Sequence, residues 1–199
     1  MRDLVYYIAT SADGFIADPG GGTGAFPHHP GTLTDLFERY PETCPAHLRE
    51  ALGVAGSPRR FDTVLMGYRT FEPARDAGLT SAYPHLREIV VTHRDLGPDT
   101  PVDVWSGDLD PQIRALKDEP GADIWLCGGA DLAGQLIDHI DELQLKVNPL
   151  LLGDGLPLLV DPSRSSTGLP LRLVEATTLP GDVVLLTYRT PVADGKASR

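Results

Sequence analysis

The segment that most constrains the fold of this 199-residue chain is IWLCGGADLAGQLI, at residues 124–137. It opens with a short apolar run, breaks at Gly128 and Gly129, and resumes with apolar residues at helical spacing. This pattern predicts a buried strand that leads through a diglycine directly into a helix. Glycines allow the backbone to approach a ligand closely, and the first amides of a helix have no internal partner. A phosphate group would fit there, although a tight turn without a ligand explains the same residues equally well.

A second segment repeats the arrangement of strand, glycine and helix. Residues 61–66 predict a buried strand, Gly67 follows it, and a helical stretch starts at Tyr68. Further apolar runs predict strands at residues 4–10, 88–92 and 102–105. Three more helices are expected, one beginning with Thr32 or Thr34 as its cap, one running roughly over residues 45–52, and one with Asp110 before Pro111. Alternation of strands and helices is typical of a parallel sheet covered by helices on both faces.

The pattern changes after Ile140. Residues 142–148, 171–177 and 183–188 alternate apolar and polar side chains, and residues 179–182 predict a hairpin turn between the last two. The predicted fold class is therefore α/β, as a three-layer α/β/α sandwich whose mostly parallel sheet is closed by an antiparallel C-terminal hairpin. We expect residues 1–190 to form a single domain and residues 191–199 to be a disordered tail.

Composition narrows the classes of function. The formal net charge of -11 argues against a general nucleic-acid-binding protein, which needs a basic face. Cys44 and Cys127 lie far apart and match neither a disulfide framework nor a zinc motif, so we expect no structural metal. No apolar stretch approaches the length of a membrane span. We expect a cytoplasmic protein with reduced thiols, and an inert Cys127 buried within its apolar run.

The predicted strand ends carry the residues that could bind a ligand. In a parallel sheet, ligands bind where the loops at the carboxyl ends of the strands diverge. Two helix starts next to glycines would meet there, together with Arg69, His93 and Arg94. In an acidic protein this combination suits a ligand with several phosphates, although a single arginine is more commonly a solvated surface side chain.

Four motifs, in order along the chain, resemble a known family. They are SADGFIA at residues 11–17, DTVLMGYRTFE at 62–72, IWLCGGADLAGQL at 124–136 and NPLLLGDGLPLL at 148–159. Together they look like the dihydrofolate-reductase-like proteins that share the C-terminal reductase domain of the bacterial riboflavin-biosynthesis deaminase–reductase. The resemblance covers nearly the whole chain. It implies a dihydrofolate-reductase-like domain that binds NADPH and transfers hydride to a pterin-like or pyrimidine-like small molecule.

The resemblance also implies roles for individual residues. Asp35 would support protonation of the substrate ring, and Asp13 and Phe15 would contact the substrate. A cis peptide bond is expected between Gly128 and Gly129. The family pattern usually has arginine at the position of Tyr68 and glutamate at that of Cys127. The positions expected to bind NADPH are Ala9, Gly67, Tyr68, Arg69, Thr70, Thr92, His93, Arg94, Gly128, Gly129, Ala130, Asp131 and Leu132.

One alternative function and one assembly follow from the same residues. A non-catalytic protein that binds a nucleotide or another small ligand would use the same scaffold, because a fold does not determine function. Residues 150–159 and 183–188 contain more apolar side chains than a half-exposed sheet edge needs, so we expect a homodimer. A small-molecule substrate is the other expected partner, and neither nucleic acid nor a membrane is expected.

Overall fold

A computed structural model describes residues 1–160 and 168–191 of the chain. Its main feature is an eight-stranded sheet with the strand order β5-β4-β3-β6-β1-β7-β10-β9, and β2 pairs with β8 in a separate two-stranded sheet. The strands are β1 (Leu4–Ser11), β2 (Phe15–Ala17), β3 (Phe61–Gly67), β4 (Arg87–Val91), β5 (Asp103–Trp105), β6 (Asp123–Gly128), β7 (Glu142–Asn148), β8 (Leu156–Pro157), β9 (Arg172–Leu179) and β10 (Val183–Arg189).

Strand direction confirms the predicted sheet. The pairs from β5 across to β7 are all parallel, whereas β10 runs antiparallel to both β7 and β9. The closing hairpin turns at a 3-10 segment, Pro180–Asp182, where the sequence predicts a turn. β1 lies inside the sheet, with Tyr6 opposite Leu126 of β6 and Tyr7 opposite Gln144 of β7. Burial on both faces explains why β1 is almost continuously apolar rather than alternating.

Helices cover both faces of the sheet, so the three predicted layers are confirmed. The helices are α1 (Pro30–Arg39), α2 (Ala46–Arg49), α3 (Tyr68–Asp76), α4 (Leu109–Asp118) and α5 (Ala130–Gln135). Leu36 of α1 and Phe71 of α3 belong to one apolar core, together with Tyr7. Ile113 of α4 and Leu132 of α5 belong to a second core on the opposite face. We call the two sides of the sheet the α1 face and the α4 face.

Two predicted helix caps were wrong by two or more residues. His29 caps α1 by accepting a hydrogen bond from the backbone amide of Gly31, while the Thr32 hydroxyl donates to the carbonyl of Pro180. Asp108, not Asp110, caps α4, and Asp110 instead forms an ion pair with Arg114 one turn later. The predicted caps would have suited isolated helices. In the folded protein the Thr32 hydroxyl binds the hairpin turn instead, and α1 begins earlier, at Pro30. In α4 the earlier aspartate, Asp108, is the cap.

The helix after the diglycine is shorter than its apolar period predicts. α5 ends at Gln135, and a 3-10 segment, Ile137–His139, carries the chain to β7. The apolar face is nevertheless buried as expected at Leu132, Ala133, Leu136 and Ile140. Among the described residues, no helix is long and apolar enough to cross a membrane. The predicted tail lies outside the described residues, apart from Pro191.

Candidate functional site

The two glycine-bounded helix starts meet at the carboxyl ends of β3 and β6. A Cβ atom placed on Gly67 would lie 3.8 Å from both the carbonyl oxygen of Gly128 and the amide nitrogen of Gly129. A Cβ atom on Gly128 would lie 3.7 Å from the Thr70 hydroxyl and 3.7 Å from the Ile8 side chain. The structure therefore brings Gly67, Thr70, Gly128 and Gly129 together beside the end of β1, as the sequence predicts.

The backbone at the diglycine has the predicted special geometry. The peptide bond between Gly128 and Gly129 is cis, which confirms that prediction. Gly128 has a φ of +136°, a value that residues with a side chain rarely adopt. Both glycines thus place the backbone itself, rather than a side chain, at the surface of the site.

The two helices that begin at this edge differ from α1 and α4. Gly67 precedes α3 and Gly129 precedes α5, and neither helix has a hydrogen bond from a side-chain cap. In contrast, side chains cap α1 and α4. The first amides of α3 and α5 are therefore left without a side-chain acceptor, and the positive end of each helix dipole faces the same region. An anionic group is the natural acceptor for such amides.

Arg94 adds a positive charge beside α3. Its guanidinium lies 4.1 Å from the centroid of the Tyr68 ring, and it is 3.7 Å from the Glu72 carboxylate. The Thr92 hydroxyl accepts a hydrogen bond from the Arg94 amide, which holds the turn after β4. Two thirds of the Arg94 side chain is exposed, at 66%, so the charge remains available to a ligand. Tyr68 stands where the family usually has an arginine, and its ring supports the neighbouring Arg94 instead.

The other residues expected at the cofactor side take several positions. Ala9 is half-buried on β1, opposite Lys146 of β7. Arg69, His93 and Asp131 are exposed, whereas Ala130 and Leu132 are buried. The last two therefore anchor α5 to the sheet, and only their backbone amides are suited to a ligand. The glycine-lined surface, the amides without caps and the nearby arginine together fit a dinucleotide with several phosphates.

The Asp13 carboxylate is occupied by protein groups. It accepts a hydrogen bond from the Ser11 hydroxyl at 2.6 Å and from the amides of Leu152 at 3.1 Å and Gly153 at 2.7 Å. These bonds lower the pKa of Asp13 to about 2, with the Ser11 hydroxyl making the largest contribution. Phe15 is half-buried and pairs with Pro157 in the small sheet. Both residues thus hold the loop after β1 against the loop before β8.

Asp35 is exposed on α1, next to the buried Leu36. Its helix packs against the hairpin turn and β9, and Arg39 at the end of α1 pairs with Glu175 of β9. The contacts of α1 therefore lie toward the antiparallel edge of the sheet rather than toward the diglycine. The expected role of Asp35 in protonation is still a prediction.

Lys146, which was not among the predicted site residues, lies opposite Ala9 in the sheet. It lies on the α1 face, where its Nζ is 3.8 Å from the centroid of the Tyr7 ring. Burial lowers the pKa of Lys146 to about 8. One signal in the sequence could have identified it: the chain has only three lysines, and one of them lies within the alternating strand predicted at residues 142–148. Cys127 is half-buried, and burial raises the pKa of its thiol to about 12, consistent with the expected inert thiol.

One known protein family matches the chain over nearly its whole length. The family described as the RibD C-terminal domain matches residues 2–185. Among individual proteins, the chain is similar to the uncharacterized protein YwjB of Bacillus subtilis (strain 168). The two are 29% identical over 163 residues, which is 79% of this chain and 82% of YwjB.

Solved structures with the same fold include two reductases. Dihydrofolate reductase from Enterococcus faecalis, complexed with NADP(H), has a TM-score of 0.64 at 17% identity, covering 96% of this chain and 97% of that one. A diaminohydroxyphosphoribosylaminopyrimidine deaminase/5-amino-6-(5-phosphoribosylamino)uracil reductase from Thermotoga maritima has a TM-score of 0.63 at 15% identity, covering 95% of this chain and 56% of that one. At these identities the similarity shows the fold, which is dihydrofolate-reductase-like.

Proposed function

Because this chain belongs to the RibD C-terminal domain family, we propose that it is an NADPH-dependent oxidoreductase. Its substrate in this proposal is a pterin-like or pyrimidine-like small molecule. The observation that carries the proposal is the meeting of two glycine-bounded helix starts, without side-chain caps, beside Arg94 at one edge of a parallel sheet. Related structures of reductases with this fold, one of them complexed with NADP(H), support it.

Each group at the sheet edge would hold a different part of the cofactor. The amides that follow Gly67 and Gly129, with the Thr70 hydroxyl, would hold the pyrophosphate. Arg94 would bind the 2′-phosphate, and Thr92 and His93 would lie beside the adenosine ribose. Arg69 would add a second charge, and Ala9 would leave room for the nicotinamide beside the sheet. When bound there, NADPH supplies a hydride, while the protein supplies orientation and electrostatics.

On the substrate side, the proposal assigns a supporting role to the loop after β1. Asp13 and Phe15 would shape this side of the site because they join that loop to the segment before β8. Asp35 is exposed on α1, so it would supply a proton only if α1 brings its carboxylate to the substrate. Replacement of Asp35 by asparagine tests this role directly, since the amide keeps the shape but carries no titratable proton.

Two measurements on the wild-type protein test the proposed function. Calorimetric titration with NADPH and with NADH should show binding of both nucleotides and tighter binding of NADPH. Oxidation of NADPH should then follow the addition of dihydrofolate or of 5-amino-6-(5-phosphoribosylamino)uracil, the two acceptors that represent the proposed substrate classes. If neither nucleotide binds, the proposal is wrong. Binding of NADPH without oxidation by either acceptor would instead support the non-catalytic alternative.

A further inference from the structure

Lys146 occupies an unusual place for a lysine, in the interior of the sheet. β7 is flanked by β1 and β10, and Lys146 lies opposite Ala9 on one side and Leu185 on the other. It shares the α1 face with Tyr7, and its Nζ lies 3.8 Å from the centroid of that ring. A lysine with a half-buried side chain on a central strand is uncommon, because desolvation of an ammonium group is costly.

The second lysine in the described residues shows how this protein pairs a buried ammonium for structural reasons. Lys117 is buried on α4, and its Nζ contacts the Asp141 carboxylate at 2.5 Å and the His139 carbonyl at 3.0 Å. Within residues 1–160 and 168–191, Lys146 forms no such ion pair. The Tyr7 ring is the group that stabilises its charge. Pairing with a carboxylate therefore explains the position of Lys117 but not that of Lys146.

The groups around Lys146 leave its proton available near neutral pH. Burial lowers the pKa of Lys146 to about 8, and Cys127 on β6 opposes this shift. The Cys127 thiol stays protonated because burial raises its pKa to about 12, an effect to which Glu88 of β4 contributes. Burial also raises the pKa of Tyr7 well above its usual range. Below about pH 8, Lys146 is thus the group on this part of the α1 face that carries a transferable proton.

We propose that the Lys146 ammonium donates the proton that the substrate takes up during reduction, a role that rests on the proposed function. The acceptor would contain a C=N bond placed over the α1 face, beside Ala9. When its carbon accepts the hydride that NADPH supplies, the electron pair of the C=N π bond moves to nitrogen. That nitrogen takes one proton from Nζ, and the N–H bond of Lys146 breaks to leave a neutral amine. Water then returns a proton to Nζ.

The position of Lys146 can be tested without measuring activity. Because the chain has three lysines, carbon-13 labelling of lysine gives few Cε signals, and the signal missing from Lys146→Met identifies Lys146. We expect this signal to titrate near pH 8, as burial of the ammonium requires. Addition of NADP⁺ should shift the Lys146 signal more than that of Lys117, which lies on the α4 face. A Lys146 signal that titrates near 10.4, the ordinary value for lysine, or that ignores bound NADP⁺, would overturn the proposal.

Steady-state kinetics then test whether Lys146 donates the proton, with NADPH and 5-amino-6-(5-phosphoribosylamino)uracil as the reactants. Lys146→Met should lower kcat by roughly 100-fold or more, because positioned acids contribute about that much, while the Kd for NADPH stays near the wild-type value. The wild-type rate should fall above about pH 8, and this dependence should disappear in Lys146→Met. Lys146→Arg keeps the charge but not the low pKa, so it should bind the acceptor as the wild type does and still have the low kcat of Lys146→Met.

A control variant outside the site completes the test. Arg75→Ala, in the last turn of α3, should keep both the wild-type kcat and the loss of rate above about pH 8. A folded Lys146→Met that binds NADPH and reduces the acceptor at the wild-type rate would show that Lys146 donates no proton. That result leaves the proposed reductase function intact. Failure of the wild type to bind NADP⁺ would remove the reductase function itself, and the proton role with it.

Discussion

At the scale of single residues, Arg94 is the position from which we expect a preference for one nicotinamide cofactor. Its exposed guanidinium is held over the Tyr68 ring beside the start of α3. A guanidinium binds a phosphate through two parallel hydrogen bonds, and one charge-assisted bond contributes about 1.5–3 kcal/mol. Arg94→Ala should therefore weaken the binding of NADPH about tenfold or more and leave NADH nearly unchanged, as measured by calorimetric titration.

The control for this substitution is Arg75→Ala, at the other end of α3. Arg75 lies in the last turn, so its removal changes the net charge equally without touching the start of the helix. Both cofactors should bind this variant as they bind the wild type. If Arg94→Ala weakens NADPH and NADH equally, Arg94 does not distinguish them by the 2′-phosphate.

Gly128 carries the second prediction at this scale. Its φ of +136° lies outside the region that residues with a side chain adopt readily. Gly128→Ala should lower the free energy of unfolding by roughly 1–3 kcal/mol because of this φ. It should also weaken NADPH binding, because the added methyl group would occupy the glycine surface beside the Thr70 hydroxyl. Urea denaturation and calorimetry measure the two effects. In Gly24→Ala the new methyl group has nothing within 4 Å, so wild-type behaviour is expected; equal loss in both variants would contradict this account.

At the scale of structural elements, the Asp13 carboxylate joins two loops that are far apart in sequence. Hydrogen bonds from Ser11, Gly153 and Leu152 lower its pKa from 3.8 to about 2. A carboxyl group whose pKa is lowered by folding stabilises the folded protein fully above the unfolded value. This stabilisation is lost as the pH falls toward the folded value. Asp13→Asn should therefore be less stable than the wild type at neutral pH.

The difference between the two proteins should shrink as the pH falls from 3.8 to about 2, where the wild-type carboxyl also becomes neutral. Urea denaturation of both proteins across this range measures it. Asp18→Asn is a suitable comparison, because within the described part of the chain the Asp18 carboxylate accepts hydrogen bonds from amides of its own turn, at Gly20 and Gly22. A difference between wild type and Asp13→Asn that does not change with pH would show that the charge of Asp13 does not hold the loops.

At the scale of the whole molecule, the antiparallel end of the sheet has an apolar surface on the α4 face. Leu173 is opposite Tyr188, and Tyr188 is opposite Leu143, which packs against the core of that face. Leu173 is 52% exposed, and in the described residues no helix covers it. A contiguous apolar surface on a sheet is typical of a protein interface, and this supports the expected homodimer.

Light scattering during size-exclusion chromatography should give the mass of a dimer for the wild type at micromolar concentration. Leu173→Asp should shift the protein to a monomer, because a dimer would have to bury its carboxylate. Leu52→Asp, at another exposed leucine that lies beside α1 and not on the α4 face, should remain a dimer. A monomeric wild type would show that the apolar surface has another role, and a dimeric Leu173→Asp would place the interface elsewhere.

Local sequence patterns were enough to predict most of the strands and helices of this protein and the edge of the sheet where its candidate site lies. Periodicity is a local property, so continuous apolar runs identified the interior strands, and alternating runs identified the closing hairpin. The two glycine-bounded helix starts were recognisable for the same reason, because each is encoded within about ten neighbouring residues. In a parallel sheet the carboxyl ends of strands lie along one edge, and this general rule was enough to bring Gly67 and Gly128 together.

Which side chains meet across the sheet depends on strand order and register, and these are properties of the folded chain. Tyr7 and Lys146 lie on strands separated by more than a hundred residues, and strand order and register place the ammonium over the ring. The same holds for Asp13, whose partners at Leu152 and Gly153 belong to a distant loop. Such contacts leave no local pattern in the sequence, because each residue is ordinary in its own segment. Their chemistry arises from burial and proximity, which exist only once the chain is folded.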